Sequence, residues 1–367
     1  MFKLCFVIEN LGSGGAQKQL YLMLEKLAKK NIYLIVYCFN TYGHDFYTEK
    51  LLSFGVKVFH NSNSNYIVRI WNYNRFILQE KPNEVVSMLY GANLLATISK
   101  ILHNGKYNLL VSDRSGIIND QTNRDRLRYQ LYKVADKVIT NSSHTAMMVT
   151  QRAPWLRNKI EVIWNIVPPL EGDATRKSKL TFLFGARYHP LKNHENFIKA
   201  FILAVTETKT QDRYILKCFG SVYGKKNLAV YGALTQLVQD MGAEDYVSLN
   251  YESESLEEEI QQSDFCVLPS YYEGCPNFII EGMTASKVIL MSDVCSNPDI
   301  LPHSGGYLFD PYSVNSIKES ILKSFNLKKS ERMQMGKANR NRALEMFNPD
   351  TNLNKFLKLV NRDNIFK

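Results

Sequence analysis

The N-terminal stretch MFKLCFVIENLGSGGAQKQLYLMLEKLAKKNIYLIVYCF (1–39) decides the fold. FKLCFVI (2–8) and IYLIVYCF (32–39) are nearly continuous apolar runs. Parallel strands covered on both faces read in this way, without the alternation of a half-exposed strand. Between them AQKQLYLMLEKLAKK (16–30) carries apolar residues at helical spacing. A strand, a glycine-rich turn, a helix and a second strand make a βαβ unit.

The same alternation continues outward. Further strands are expected at VKVF (56–59), VVSML (85–89), LLVS (109–112), KVIT (137–140) and EVIW (161–164). At NIVPPLEGDATRKSK (165–179) two prolines and a polar run interrupt it, the signature of a linker. It restarts with LTFLFGA (180–186), YILKCFG (214–220), YVSLN (246–250), FCVLPS (265–270) and KVILMS (287–292), and closes in helices ending with NPDTNLNKFLKLVNR (348–362). The expected architecture is α/β, with two doubly wound Rossmann-like domains facing across a cleft. The expected boundaries are residues 1–167 and 180–347, a linker at 168–179, and a C-terminal helix over 348–367 packing back on the first domain. Ligands of such sheets bind outside the carboxyl ends of the strands.

Composition narrows the class. With 367 residues, 45% hydrophobic and 22% charged, the chain has the makeup of a globular protein rather than a disordered or collagen-like one. No run approaches the ~20 apolar residues of a membrane-spanning helix. The N-terminus lacks the basic flank and cleavage site of a signal peptide, so a cytoplasmic location is expected. Cys5, Cys38, Cys218 and Cys266 lie within apolar runs and none of the six cysteines forms a C-x-x-C pair, which points to core thiols rather than disulfides or zinc. The net charge of +10 is confined to residues 1–167, which hold 21 Lys/Arg and 11 Asp/Glu; residues 168–367 hold 24 of each. One half is therefore suited to an anionic partner.

Five segments carry chemistry. In ENLGSGGAQK (9–18), Gly14 and Gly15 let backbone amides approach an anion at a helix N-terminus, or simply shape a strand-to-helix turn. In GARYHPLKNHENF (185–197), Arg187 and Lys192 stand beside a helix start, an arrangement suited to a diphosphate. In YEGCPNFIIEGMTASKVIL (272–290), Glu273 falls in the turn after a strand and Glu281 lies one turn into a helix among Ile279, Ile280 and Met283. A carboxylate there can accept two hydrogen bonds from a vicinal diol. In VSDRSG (111–116), Asp113 and Arg114 are expected at the strand end, where an Asp is more often a cap. Finally, NYIVRIWNYNRFILQEK (65–81), with Arg69, Trp71 and Arg75, and RDRLRYQLYKVADK (124–137), with Arg124, Arg126 and Arg128, read as basic, aromatic-rich helices that can lie on an anionic lipid surface. There is no D-x-D pair, H-E-x-x-H or G-x-S-x-G, so no catalytic metal or cofactor is expected.

Four of these features in order (GSGGAQ, VITNSS followed by IEVIWN, GARYHPLKN, and EGCPNFIIEGM with its E-x7-E) resemble the retaining glycosyltransferases of family 4, which have the GT-B fold. The resemblance spans nearly the whole chain. It implies a nucleotide-sugar donor, expected to be a UDP-sugar, bound by the C-terminal domain, and an acceptor bound by the N-terminal one. It further implies transfer with retention of anomeric configuration and without a metal. Carried over residue by residue, it makes Arg187 and Lys192 neutralise the diphosphate, with Gly14 and Gly15 approaching it. Glu281 would hold the ribose hydroxyls and Glu273 the transferred sugar, near Cys275, Asn277 and Phe278. Gly220, Ser221 and Tyr251 would flank the nucleoside. Asp113 stands where many members have a His or Glu, and Gln17 replaces a commonly acidic residue.

The basic first half and the lipid-surface helices, with Arg114, add an expectation of a peripheral enzyme on the inner face of the membrane, acting on a lipid-linked or cell-surface glycan. An epimerase, hydrolase or phosphorylase of the same fold is the alternative within it. A basic nucleic-acid-binding protein is the alternative outside it, although nothing here resembles a recognition helix or a base-stacking platform.

Overall fold

The computed structural model describes residues 1–40, 45–103, 107–114, 123–171, 178–251 and 256–360. Among them the strands are β1 (Phe2–Ile8), β2 (Ile32–Cys38), β3 (Lys57–His60), β4 (Glu84–Met88), β5 (Asn108–Asp113), β6 (Lys137–Thr140), β7 (Ile160–Val162), β8 (Leu180–Gly185), β9 (Tyr214–Gly220), β10 (Val247–Tyr251), β11 (Phe265–Leu268), β12 (Val288–Ser292) and β13 (Gly306–Phe309). The helices are α1 (Gly15–Leu27), α2 (Thr48–Ser53), α3 (Tyr66–Glu80), α4 (Tyr90–Leu102), α5 (Asn123–Leu131), α6 (Ser143–Arg152), α7 (His194–Thr208), α8 (Lys225–Asp240), α9 (Leu256–Gln262), α10 (Asn277–Thr284), α11 (Asn297–Ile300), α12 (Val314–Phe325), α13 (Lys329–Met346) and α14 (Pro349–Val360). None of the described helices is long and apolar enough to cross a membrane.

The chain falls into two compact units, Met1–Ile166 with Pro349–Lys367, and Val167–Asn348. Each is built on one parallel sheet. The first runs in the order β3-β2-β1-β4-β5-β6-β7 and the second in the order β10-β9-β8-β11-β12-β13. The apolar runs become strands because helices cover both faces: in β4 all five residues are buried, Glu84 included. β13 is the strand that the sequence pattern does not reveal. Its GYLF is short and half-exposed, and it pairs on one side only, with β12.

In the first unit, α3, α4, α6 and the short 3₁₀ turn at Tyr132–Val134 seal one sheet face through Tyr37, Tyr73, Phe76, Leu95, Tyr132 and Val149. The other face is closed by α1 and by α14, whose Leu353, Phe356 and Val360 join Phe6, Leu20 and Val36. Phe356 lies 6.0 Å from the ring of Phe6, nearly parallel to it. The last helix thus belongs to the core of the unit that the chain began. In the second unit Phe182 stacks on Phe265 at 4.3 Å, and Tyr214 on Phe325 at 3.9 Å.

His194 opens α7 wholly inside this second core, stacked on Phe184 at 4.1 Å and tilted against Tyr188. Burial, with a smaller push from Lys192, lowers its pKa from 6.5 to about 3. The ring is neutral in the folded protein, while the unfolded chain protonates it below about pH 6.5. Stability contributed by the neutral ring is therefore complete above pH 6.5 and is lost as pH falls from there toward 3, by about 1.4 kcal/mol per unit. His194→Phe should flatten that slope, read as urea midpoints measured across pH 4 to 7. Phe356→Ala should lower the stability of the first unit by about 3–5 kcal/mol, from lost burial and a residual cavity, measurable by urea unfolding.

Candidate functional site

In the second sheet the chain leaves β8 for β9 and β10 on one side, then crosses to β11 on the other. Two neighbouring loops consequently part at the carboxyl ends of β8 and β11, the position where doubly wound sheets bind ligands. One loop carries Arg187 and Lys192 and the other carries Glu273.

Side-chain hydrogen bonds hold these loops to each other. Asn193 ends the first loop with φ 57° and ψ 39°, a left-handed conformation that Asn tolerates better than most residues. Its buried amide Nδ2 donates to the carbonyls of Pro269 (3.0 Å) and Pro311 (2.8 Å). The amide of Tyr271 donates to Leu191 O at 3.0 Å. Tyr188, fully buried, donates its hydroxyl to Asn250 O at 2.8 Å. Gly220 allows the closest approach: a Cβ there would stand 2.0 Å from Ala186 O. Ser221, next to it, is buried, and its carbonyl accepts from Tyr188 N.

Within this frame Lys192 Nζ lies 2.6 Å from Glu273 Oε1, with both side chains largely shielded. Arg187 is exposed. His189 lies on the same loop, its pKa lowered first by burial, then by Lys226, Arg187 and Lys192. Three cations therefore act on one imidazole. Such a concentration of charge beside the starts of α7 and α8 attracts a multiply charged anion. Lys226 and His189 were not singled out by their sequence. Lys226 reaches the cluster only because the turn after β9 is folded against the loop after β8.

Glu281 lies in α10, one turn beyond Asn277, and is 5% exposed. Its helix rides low on the sheet because residue 282 is a glycine, where a Cβ would stand 2.7 Å from Cys266 Sγ. Cys275 and Phe278 are buried and Asn277 is half-buried at the start of the helix. Tyr251 is 60% exposed and stacks on Tyr231 at 5.2 Å. Tyr231 in turn meets Tyr188 edge-on. An aromatic face is thus carried from the core to the open end of β10, beside Gly220 and Ser221.

In the first unit the order reverses between β1 and β4. Gly14 caps α1 and Gly15 opens it, both exposed. Asn10 Oδ1 organises this turn by accepting from Gly12 N (3.1 Å) and Gln17 Nε2 (3.0 Å).

Two expectations for this unit are corrected. Asp113 is not an open group at a strand edge: it is 2% exposed and lies 3.7 Å from Arg128 Nη2. Arg128 is 4% exposed, lies over the rings of Tyr90 and Tyr129, and donates to Tyr129 Oη at 2.8 Å. It cannot face a lipid surface. The pair is a buried internal contact that links α5 to β5. Arg114 donates to Asn165 Oδ1 and is half-buried. Arg69 donates to Asn63 O and is half-buried, whereas Arg75 is exposed over the indole of Trp71. Arg126 is exposed; the side chain of Arg124 lies outside the described residues.

Residues 171–342 match the family model described as Glycosyl transferases group 1. No curated protein matches the chain at a significant level. Among solved structures, the chain is similar to HepE of Anabaena in complex with UDP-glucose (TM-score 0.83, 14% identity, covering 99% of this chain and 100% of that one). It is also similar to a glycosyltransferase from Rickettsia africae (0.81, 14%, 98% of each). A third is the sucrose-phosphate synthase of Thermosynechococcus elongatus (0.79, 15%, 99% of each). The match to a glycosyl transferase group 1 domain thus lies within the second unit, and the chain as a whole has the two-domain GT-B fold of the solved glycosyltransferases it is similar to.

Proposed function

We propose that the chain moves a hexose from a UDP-sugar to a lipid-linked or cell-surface glycan, with retention of configuration and without a metal, in the manner of family 4. The observation that carries this reading is the ion pair of Lys192 with Glu273 at 2.6 Å across the two loops at the strand reversal of the second sheet, with the further cations Arg187 and Lys226 following β8 and β9. A donor diphosphate has the charge to occupy it. The similarity to HepE, whose structures include complexes with UDP and with UDP-glucose, supports UDP as the nucleotide.

In this reading the diphosphate takes Lys192 from Glu273, and the released carboxylate turns to the hydroxyls of the transferred sugar. Glu281, held low in α10, accepts from the ribose diol, while Tyr251, Gly220 and Ser221 border the base. Cys275, Asn277 and Phe278 present the start of α10 to the sugar. The C1–O bond to the β-phosphate breaks as the acceptor oxygen bonds C1 on the same face. The acceptor proton passes to the departing β-phosphate oxygen, and UDP leaves. Arg187 and Lys192 offset the charge that develops there, a role a metal fills in other enzymes. Gly14 and Gly15, which cap and open α1 in the acceptor unit, present backbone amides suited to an anion in this scheme. Asp113 acts only through the architecture of that unit.

The acceptor side is proposed to meet an anionic bilayer on its cytoplasmic face. Ile67, Trp71 and Leu78 are 76%, 60% and 59% exposed and form one stripe along α3. Leu127 of α5 is 59% exposed beside exposed Arg126. Both helices belong to the unit that holds the excess positive charge, and each Lys or Arg near an anionic surface adds about 1 kcal/mol.

Lys192→Ala and Glu281→Gln should each reduce transfer from UDP-hexoses by about 100-fold or more, with melting temperatures near that of the parent; near-parental turnover in either would defeat the donor-site assignment. Activity should persist in EDTA, and a strict requirement for added Mn²⁺ or Mg²⁺ would defeat the metal-free mechanism. Binding to vesicles should rise with anionic lipid and fall with salt, and should weaken in Trp71→Ala and in Arg75→Glu/Arg126→Glu. Indifference to anionic vesicles at low salt would leave a soluble acceptor.

A further inference from the structure

Away from the donor loops, the first unit has a groove of about 250 Å³ between its edge strand β3 and α3. It exists because the two elements differ in length. Fifteen residues of helix run about 22 Å, while four residues of strand run about 13 Å. The helix outruns the strand and leaves uncovered space beside it.

The lining is of an unusual kind for the flank of a sheet. The apolar wall is aromatic: Phe59 and Phe76 meet edge-on at 5.0 Å, and Phe76 packs on Tyr37 at 4.6 Å. The polar side consists of His60, Asn61, Asn72, Gln79 and Arg75, with Asn72 Nδ2 donating to Asn61 Oδ1 at 2.8 Å. None of the described lining residues is a carboxylate, and the one beside them, Asp45, lies 3.4 Å from His60 Nδ1. Tyr37, which lines the groove, is 1% exposed, and its buried hydroxyl has no hydrogen-bond partner among the described residues. A buried hydroxyl left in that state costs free energy, so a ligand that hydrogen-bonds it gains an advantage.

Aromatic rings, paired amides, a guanidinium and a waiting hydroxyl match the chemistry of a pyranose, which has an apolar C–H face and a rim of hydroxyls that both donate and accept. We infer that this groove binds one sugar residue of a glycan, separately from the donor site. The inference rests on the proposed glycan acceptor for the identity of the ligand. It makes the groove a holding subsite for a chain whose end is being extended elsewhere on the enzyme.

The test is saturation-transfer NMR on the full chain with maltotriose, triacetylchitotriose and a hyaluronan tetrasaccharide, each with and without saturating UDP. At least one of the three should bind with UDP present. Asn72→Ala/Gln79→Ala should weaken that binding about tenfold or more. Tyr37→Phe should weaken it several-fold while melting no lower than the parent, since it removes a hydroxyl that has no partner among the described residues. Binding by none of the probes, or binding unchanged in the double variant, overturns the groove. A protein that takes up UDP-sugars but shows either result loses the groove alone; one that binds oligosaccharide through Asn72 and Gln79 but ignores UDP-sugars keeps the groove and loses the donor reading.

Discussion

The site in the second unit depends on one buried amide. Asn193 holds a left-handed backbone where α7 begins and bonds two carbonyls, Pro269 after β11 and Pro311 after β13. Three strand ends are thereby fixed to a single side chain, and Lys192 is its immediate neighbour in sequence. The position of the Lys192 ammonium opposite Glu273 follows from that tie. Without the amide the residue would face both the cost of a positive φ and the desolvation of two carbonyls, each about 1 kcal/mol or more. Lysine has a long, flexible stem, and only a loop held on both sides can keep its charge within 2.6 Å of one carboxylate.

That geometry explains why charge gathers rather than cancels. Glu273 offsets Lys192, but Arg187 on the same loop and Lys226 at the start of α8 both act on the His189 imidazole without a carboxylate of that kind beside them in the loop. Like charges gathered in this way repel one another. On the proposed reading, the diphosphate relieves this repulsion, and the energy it recovers helps to separate Lys192 from Glu273. The carboxylate freed in this way becomes available only when the donor is in place, which couples donor binding to readiness for transfer.

The alternation of strands and helices was legible because parallel strands sealed on both faces need unbroken apolar runs, and those survive in the sequence as FKLCFVI or KVILMS. The special surroundings of Glu281 were legible too, since Ile279, Ile280 and Met283 are all fully buried around it. β13 was not, because a short half-exposed edge strand has no strong pattern. Burial within α5 was also hidden. Arg126 and Arg128 look alike in RDRLR, yet one is exposed and the other lies against Tyr129. Which arginine turns inward is set by the partner Asp113, contributed from β5, and by the tyrosine rings around it. Lys226 was illegible for a similar reason: its role depends on a contact between loops, and sequence spacing carries no record of it.

The helix α3 shows how much one segment can encode once its faces are separated. Tyr73, Phe76 and Ile77 enter the core of the first unit and fix the helix on the sheet. Asn72 and Gln79 turn toward the short edge strand, where a groove remains because β3 ends early. Ile67, Trp71 and Leu78 point to solvent, with Arg75 laid over the Trp71 indole. Fully burying apolar side chains of this size is worth about 1.5–3 kcal/mol each, and these three, left in water, gain little of it. The core face alone would account for a helix here. The amide-lined face and the exposed apolar stripe are extra features, and on the proposed reading each is suited to a different surface of one membrane-bound glycan: the hydroxyls of its sugars and the lipid that anchors it.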